Sequence, residues 1–212
     1  MIAPARQQPV SGAGSGVFSF VEQCASSSAE KAAARAAPVG GYMTPPPESI
    51  RLRQGGVDRD IAYYYFGGSD LTLGREELQT ELSAIVNEEL AFCLDDFSAF
   101  QGVKVEHGQP SVTAVVSDQA IVVGLDFPVT VRVAGSAESR RAFNAEAKSS
   151  LGRLHSEASS LSRAIAGSAG GFPAGYAFDS RLDYHVINLD SRRTVYGLDD
   201  KSGLVFMFAT LK

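Results

Sequence analysis

The chain contains no tryptophan, two cysteines and three histidines among its 212 residues. So little cysteine and histidine leaves sparse material for a metal centre. No pair among His107, His155 and His185 stands at ligand spacing, and neither cysteine lies near a histidine in sequence. No metal, no cofactor and no Cys–His nucleophile are expected. A long apolar run is also missing. Nothing approaches the roughly 18 consecutive apolar residues of a membrane span, and the opening MIAPARQQPVSGAGSGVFSF has neither the basic nor the apolar region of a signal peptide. Positive charge is not in excess: 19 Lys and Arg against 24 Asp and Glu give a net charge of −5. Phosphate backbones need a basic face, so nucleic acid is not an expected partner. The clusters RLR (51–53), SRR (139–141) and SRR (191–193) are each small enough to be solvated surface. GSAGG (167–171) lacks the lysine and the strand-to-helix context of a phosphate loop.

What is present is ordinary globular material, 44% hydrophobic and 20% charged. A chain of this length should bury roughly 70% of its unfolded surface. Residues 1–16, rich in Pro, Gly, Gln and Ser, read as a flexible tether or the remnant of an anchor. Val17, Phe20, Val21, Cys24 and Ser28 then recur at helical spacing in an alanine-rich stretch that Pro38 and Gly40-Gly41 stop. The run GGYMTPPPES (40–49) is irregular over its prolines, with GYMT (41–44) a possible edge strand. DIAYYYFGG (60–68) reads as a strand.

A long helix is expected over 73–97. Leu78, Leu82, Ile85, Val86, Cys93 and Phe97 share one stripe, and Thr72 is its candidate N-cap. Cys93 therefore points inward, where a thiol makes a poor nucleophile. Strand signals follow at 102–108, 111–117 and 120–133. The turn SDQ (117–119) joins the last two as an antiparallel hairpin, and Pro128 demands an edge or a bulge. A second long helix is expected from about 139 to 166, because Phe143, Ala147, Leu151, Leu154, Ala158, Leu161 and Ile165 recur in steps of three and four. After a loop at 167–175, three strand signals close the chain at 181–189, 193–200 and 203–212, separated by polar turns.

The expected fold is therefore α+β: two long amphipathic helices, each followed by an antiparallel three-stranded meander, plus an N-terminal helix. The halves run 17–134 and 135–212 and are expected to pack as one unit. SDQAIVVGLD and DSRRTVYGLD form a short echo between them. Leu82, Ile85, Leu151, Leu154 and Phe206 are expected core residues, with Phe206 and Phe208 on one face of the last strand.

Paired carboxylates can serve acid–base chemistry. Asp95-Asp96 and Asp199-Asp200, however, sit at a helix end and a turn, where acids are common for structural reasons, and no catalytic residue is assigned. The stretch that stands out is IAYYYFGG. Tyr63 and Tyr65 should face opposite Tyr64, leaving at least one ring outside the core, and exposed tyrosine is common at interfaces.

Taken in order, several motifs are familiar. A helix with one Cys leads to GGY and a proline loop, then to an aromatic strand (IAYYYFGG) and NEELAFCLDDFSAF. VKVEHGQPSVTAVVSDQAIVVGLDFPVTV follows, and YGLDDKSGLVFMFATLK ends the chain. Over residues 20–212 this resembles a group of uncharacterised single-anchor surface proteins of small-genome archaea, with a two-cysteine α+β ectodomain. Those begin with one membrane helix, which this chain does not show, so the resemblance implies an ectodomain whose anchor is missing. The residues alone leave Cys24 and Cys93 as buried thiols, reactive thiols, metal ligands or a pair. The resemblance implies a Cys24–Cys93 disulfide, since exported domains keep such bonds. It implies a location and an architecture but no activity. The expected role is structural, adhesive or protein-binding at a cell surface, through an unknown partner or self-association. Tyr42, Tyr63, Tyr64 and Tyr65 are the candidate contact residues. An extracellular hydrolase with a cleft between the halves, or a ligand-sensing ectodomain, is the alternative.

Overall fold

Alternation decides the first sheet. In β6 (Ala120–Val133) the side chains of Ile121, Val123, Leu125, Phe127, Val129 and Val131 are all buried, and the residues between them are not. This is the period-2 signature of a strand with one face on a core. In a computed structural model that describes residues 13–168, 173, 175–201 and 203–212, β6 is the spine of a four-stranded sheet. β4 (Lys104–His107) and β5 (Ser111–Val116) lie end to end along one edge, and β7 (Ser136–Lys148) runs antiparallel along the other. The expected hairpin at SDQ forms, with Val116 opposite Ile121. Pro128 falls in a bulge, where the register against β7 shifts between Asp126 and Val129.

β7 corrects the expectation of a helix over 139–166. Residues 136–148 are strand, and the helix there, α3, spans only Leu151–Ala166. Phe143 and Ala147 stand four apart, and four is a whole number of periods for a strand as well as close to one helical turn. They sit inward opposite Leu125 and Ile121. The turn that starts the strand is Ala134-Gly135, with φ of 46° and 86°, the positive pair that a two-residue hairpin needs.

Three helices are described, α1 (Ala13–Ala36), α2 (Arg75–Leu94) and α3. The small buried residues Ala25, Ala29, Ala32 and Ala36 let α1 lie close against α2 and the first sheet. As expected, α1 stops at Pro38 and the left-handed Gly40 and Gly41. A Cβ on Gly41 would lie 2.9 Å from Leu78 Cδ1, so this corner needs glycine for space as well as for φ. α2 begins at Gly74 rather than at Thr72. The Thr72 amide donates to Asp70, and the Glu77 carboxylate takes the Gly74 N–H at 2.7 Å.

The second sheet holds β1 (Ser49–Gln54), β2 (Val57–Phe66), the two-residue β3 (Ser69–Asp70), β8 (Asp183–Asn188), β9 (Arg193–Asp199) and β10 (Val205–Leu211). β8, β9 and β10 form an antiparallel meander, and β2 joins β10 in parallel, with Tyr63 opposite Ala209. The molecule is thus α+β, but the meander of the first sheet is β5–β6–β7, with β4 pairing β6 rather than β5, and the second sheet draws strands from both ends of the chain. The edge strand lies at 49–54, not at GYMT. RLR is half of a hairpin turned by Gly55-Gly56, with Arg51 and Arg53 against Asp60 and Asp58. One apolar core joins α1, α2, α3, the inner face of the first sheet and one face of the second. Leu82, Ile85, Leu151, Leu154, Phe206 and Phe208 all lie inside it. No helix among the described residues is long and apolar enough to cross a membrane. Residues 1–12 of the expected tether, and 169–172 and 174 of the expected loop, lie outside the described residues. Residues 13–16 already belong to α1.

Candidate functional site

Cys24 on α1 and Cys93 near the end of α2 are disulfide-bonded, with Cα atoms 5.6 Å apart and a sequence separation of 69. Closing a loop of that size contributes about 4 kcal/mol in the chain-entropy account. Beside the bond, Phe20 meets Phe97 and Phe100, and Phe97 stacks on Phe127. This clamp occupies both cysteines.

The four tyrosines separate. Tyr64 points into the main core, and its hydroxyl donates to the Gly40 carbonyl at 3.0 Å. Burial pushes its pKa well up. Tyr63 faces the other side of the sheet as alternation requires, yet it is only 5% exposed. It sits in a second apolar cluster with Ile50, Ile61, Val195, Met207 and Ala209, its ring edge-on to Phe66. β2 is an interior strand between β1 and β10, and an apolar cluster covers each of its faces, one around Tyr64 and one around Tyr63. Tyr65 and Tyr42 are half-buried. Of the expected contact residues, Tyr63 and Tyr64 are therefore largely covered.

The structure brings Tyr42 and Tyr63 together at a pocket of about 400 Å³ beneath the proline loop, with Pro46, Glu48, Thr72, Glu77 and Glu81 also lining it. The loop is pinned at both ends. Met43 N–H donates to Glu81 at 2.6 Å, and Tyr63 N–H donates to the Glu48 carbonyl at 3.0 Å. Burial, and then the charges of Glu77 and Glu81, raise the pKa of the Tyr42 hydroxyl. Among the described residues no lysine or arginine lines this pocket, so it presents an aromatic, acidic surface on a stiff loop. Neither Glu77 nor Glu81 was among the candidate residues of the sequence. The signal was their spacing of four, which sets both on one side of α2.

The remaining candidates have structural occupations. Asp95 and Asp96 carry left-handed φ values of 38° and 48° at the end of α2, and Asp95 accepts a hydrogen bond from Ser98 at 2.6 Å. Asp199 accepts the Lys201 N–H at 2.7 Å, and Asp200 takes the Ser150 hydroxyl, tying the β9–β10 turn to the start of α3. His107 Nδ1 bonds the Gly108 carbonyl, and its ring packs on Phe97 and Phe127. His155 is buried on α3, with Nε2 2.8 Å from the Leu73 carbonyl. A carbonyl only accepts, so Nε2 carries the proton. Burial lowers its pKa. A second cluster joins α3 to the closing meander: Glu157 accepts hydrogen bonds from Tyr184 at 2.6 Å and Tyr176 at 3.1 Å, and burial raises both phenols. No hydrogen bond or ion pair links the carboxylate pairs to each other or to His185 among the described residues, and no group of three or more potential ligands there could hold a metal ion. Comparison with protein-family models, curated proteins and solved structures finds no match for the chain.

Proposed function

We propose that this chain is an extracytoplasmic domain of the single-anchor archaeal surface type, tethered to a membrane through its N-terminal side, and that it works by protein contact. The observation that carries this reading is the Cys24–Cys93 disulfide. A bond spanning 69 residues between two helices persists in oxidising surroundings and is rare where thiols are kept reduced. The contact role rests on the pocket under the proline loop. A pinned, proline-stiffened segment loses little freedom on binding. Glu48, Glu77 and Glu81 around Tyr42 complement a basic patch, either on a partner or on a second copy of the chain. On this reading the working surface is the start of α2 and the turn into β1, away from the disulfide end of α2.

The test is association with a lysine-rich peptide and with itself, measured by surface plasmon resonance and by sedimentation. Tyr42→Phe, which keeps the packing, combined with Glu48→Gln should weaken association about tenfold, the size of one lost charge-assisted contact, and leave Tm unchanged. Unchanged association would defeat the contact role. Two free thiols in protein taken from its native membrane would defeat the location.

A further inference from the structure

The hairpin of β1 and β2 carries three arginines with unequal company. Arg51 and Arg53 each meet an aspartate across the strand pair, at 3.0 Å and 3.7 Å. Arg59 lies on the opposite face, opposite Leu52, and is half-buried with no carboxylate partner among the described residues. A guanidinium whose stem runs along apolar side chains and which meets no carboxylate is available to pair with a bound anion.

Arg59 lines a cavity of about 350 Å³, at the low end of the range for small-molecule pockets. A row of side-chain positions crosses the sheet at this cavity. His185 on β8 pairs with Gly197 on β9, and Gly197 pairs with Met207 on β10. The glycine in the middle leaves a notch. A Cβ placed there would stand 3.4 Å from His185 Cβ and 3.7 Å from Val205 Cγ1, ordinary contact distances, so the gap is open rather than forced by crowding. Ile187, Val205, Leu204 and the Pro38 corner after α1 supply apolar walls, and among the described residues no acid lines the cavity. Asp183 and Asp199 form the next row on the same face. Lys201 holds both, through its Nζ 3.6 Å from Asp183 and its backbone N–H on Asp199.

The geometry points to a binding site for a carboxylate carried on an apolar body, the carboxylate on Arg59 and the apolar part over Met207, Val205 and Gly197 towards His185 at the far wall. Guanidinium and carboxylate match in shape as well as charge. The site shares no lining residue with the pocket under the proline loop and does not depend on the contact reading.

Two probes distinguish the source of such a group: octanoate for a free acid, and a leucine-ending tetrapeptide for a peptide C-terminus. Octanol and the amidated tetrapeptide are the matched neutral controls. Amide-resolved NMR titration of the intact chain should show octanoate or the free peptide shifting the signals of residues 59, 185, 197 and 207, with the neutral control binding about tenfold more weakly. Arg59→Met keeps the apolar stem and should weaken the acid about tenfold without affecting the neutral control. Gly197→Val should fill the notch and block acid and control alike. Should the Arg59 variant fold poorly, Arg59→Lys, which keeps the charge but loses the paired geometry, should lie between the two. No shift with either acid at millimolar concentration, equal binding of acid and neutral control, or undiminished binding by Arg59→Met would each overturn the assignment.

Discussion

At the scale of single residues, chemistry that looked available in the sequence is mostly committed to structure. Asp200 holds the start of α3, Tyr64 caps the Gly40 carbonyl, and Cys93 is tied to Cys24. Replacing Cys93 with serine should lower Tm under oxidising conditions, with a stability loss of about 4 kcal/mol from the opened loop. Under reducing conditions the variant and the native chain should melt together. The measurement is calorimetry with and without a reductant. Equal melting in both conditions would mean that the bond constrains nothing in the unfolded chain. The inward position of Cys93 was legible from its stripe on α2. Its partner was not, because two cysteines on separate helices are compatible with several arrangements until the helices are packed.

At the scale of elements, legibility followed the period of the pattern. α1, α2 and β4–β6 each carry a run long enough to separate a period of 3.6 from one of 2, and they appear close to where the sequence puts them. β7 was lost because Phe143 and Ala147 fit both periods, and because α3 continues their spacing. β1 was lost because its two arginines look like a solvated basic cluster, and only their cross-strand aspartates explain them. The proline-loop pocket was legible only in its tyrosines, Tyr42 and Tyr63, and not as a pocket. It depends on where the chain returns after β2, whereas its acids look like ordinary solvent-facing residues of a helix. Gly152 is a further case. It breaks the helical pattern two residues into α3, and the reason is steric: a Cβ there would lie 2.3 Å from the Ser117 carbonyl oxygen, backbone against backbone. Alanine ordinarily improves a helix by about 1 kcal/mol over glycine. Here overpacking of about 1–3 kcal/mol wins, so Gly152→Ala should destabilise in chemical denaturation. Gly16→Ala in α1, where nothing lies within 4 Å of the new Cβ, should stabilise instead. The same sign at both sites would show that α3 does not sit against the end of β5.

For the whole molecule, His155 is where the parts meet. It projects from α3 between Tyr64 of β2 and Phe206 of β10, bonds the carbonyl of Leu73 just before α2, and feels the positive charges of Arg75 on α2 and Arg163 on its own helix. Burial, reinforced by both arginines, lowers its pKa, so the folded chain resists the proton that the unfolded chain accepts. The sign follows from linkage. Above the unfolded histidine value of about 6.5 both states are neutral and nothing is lost. As pH falls through that value towards the lower folded one, the unfolded state gains protons first and stability drops. Asp60, Asp70 and Asp126 also have lowered pKa values in the fold. Their loss begins only as the pH approaches the unfolded carboxylate value of about 3.9, so the two windows separate. Between pH 7.5 and 5 the Tm of the native chain should fall, and His155→Gln, which retains a donor for the Leu73 carbonyl but cannot titrate, should fall less. Parallel decline of the two proteins over that window would mean that His155 takes up its proton without unfolding, and that the junction of α2, α3 and the second sheet is open to water.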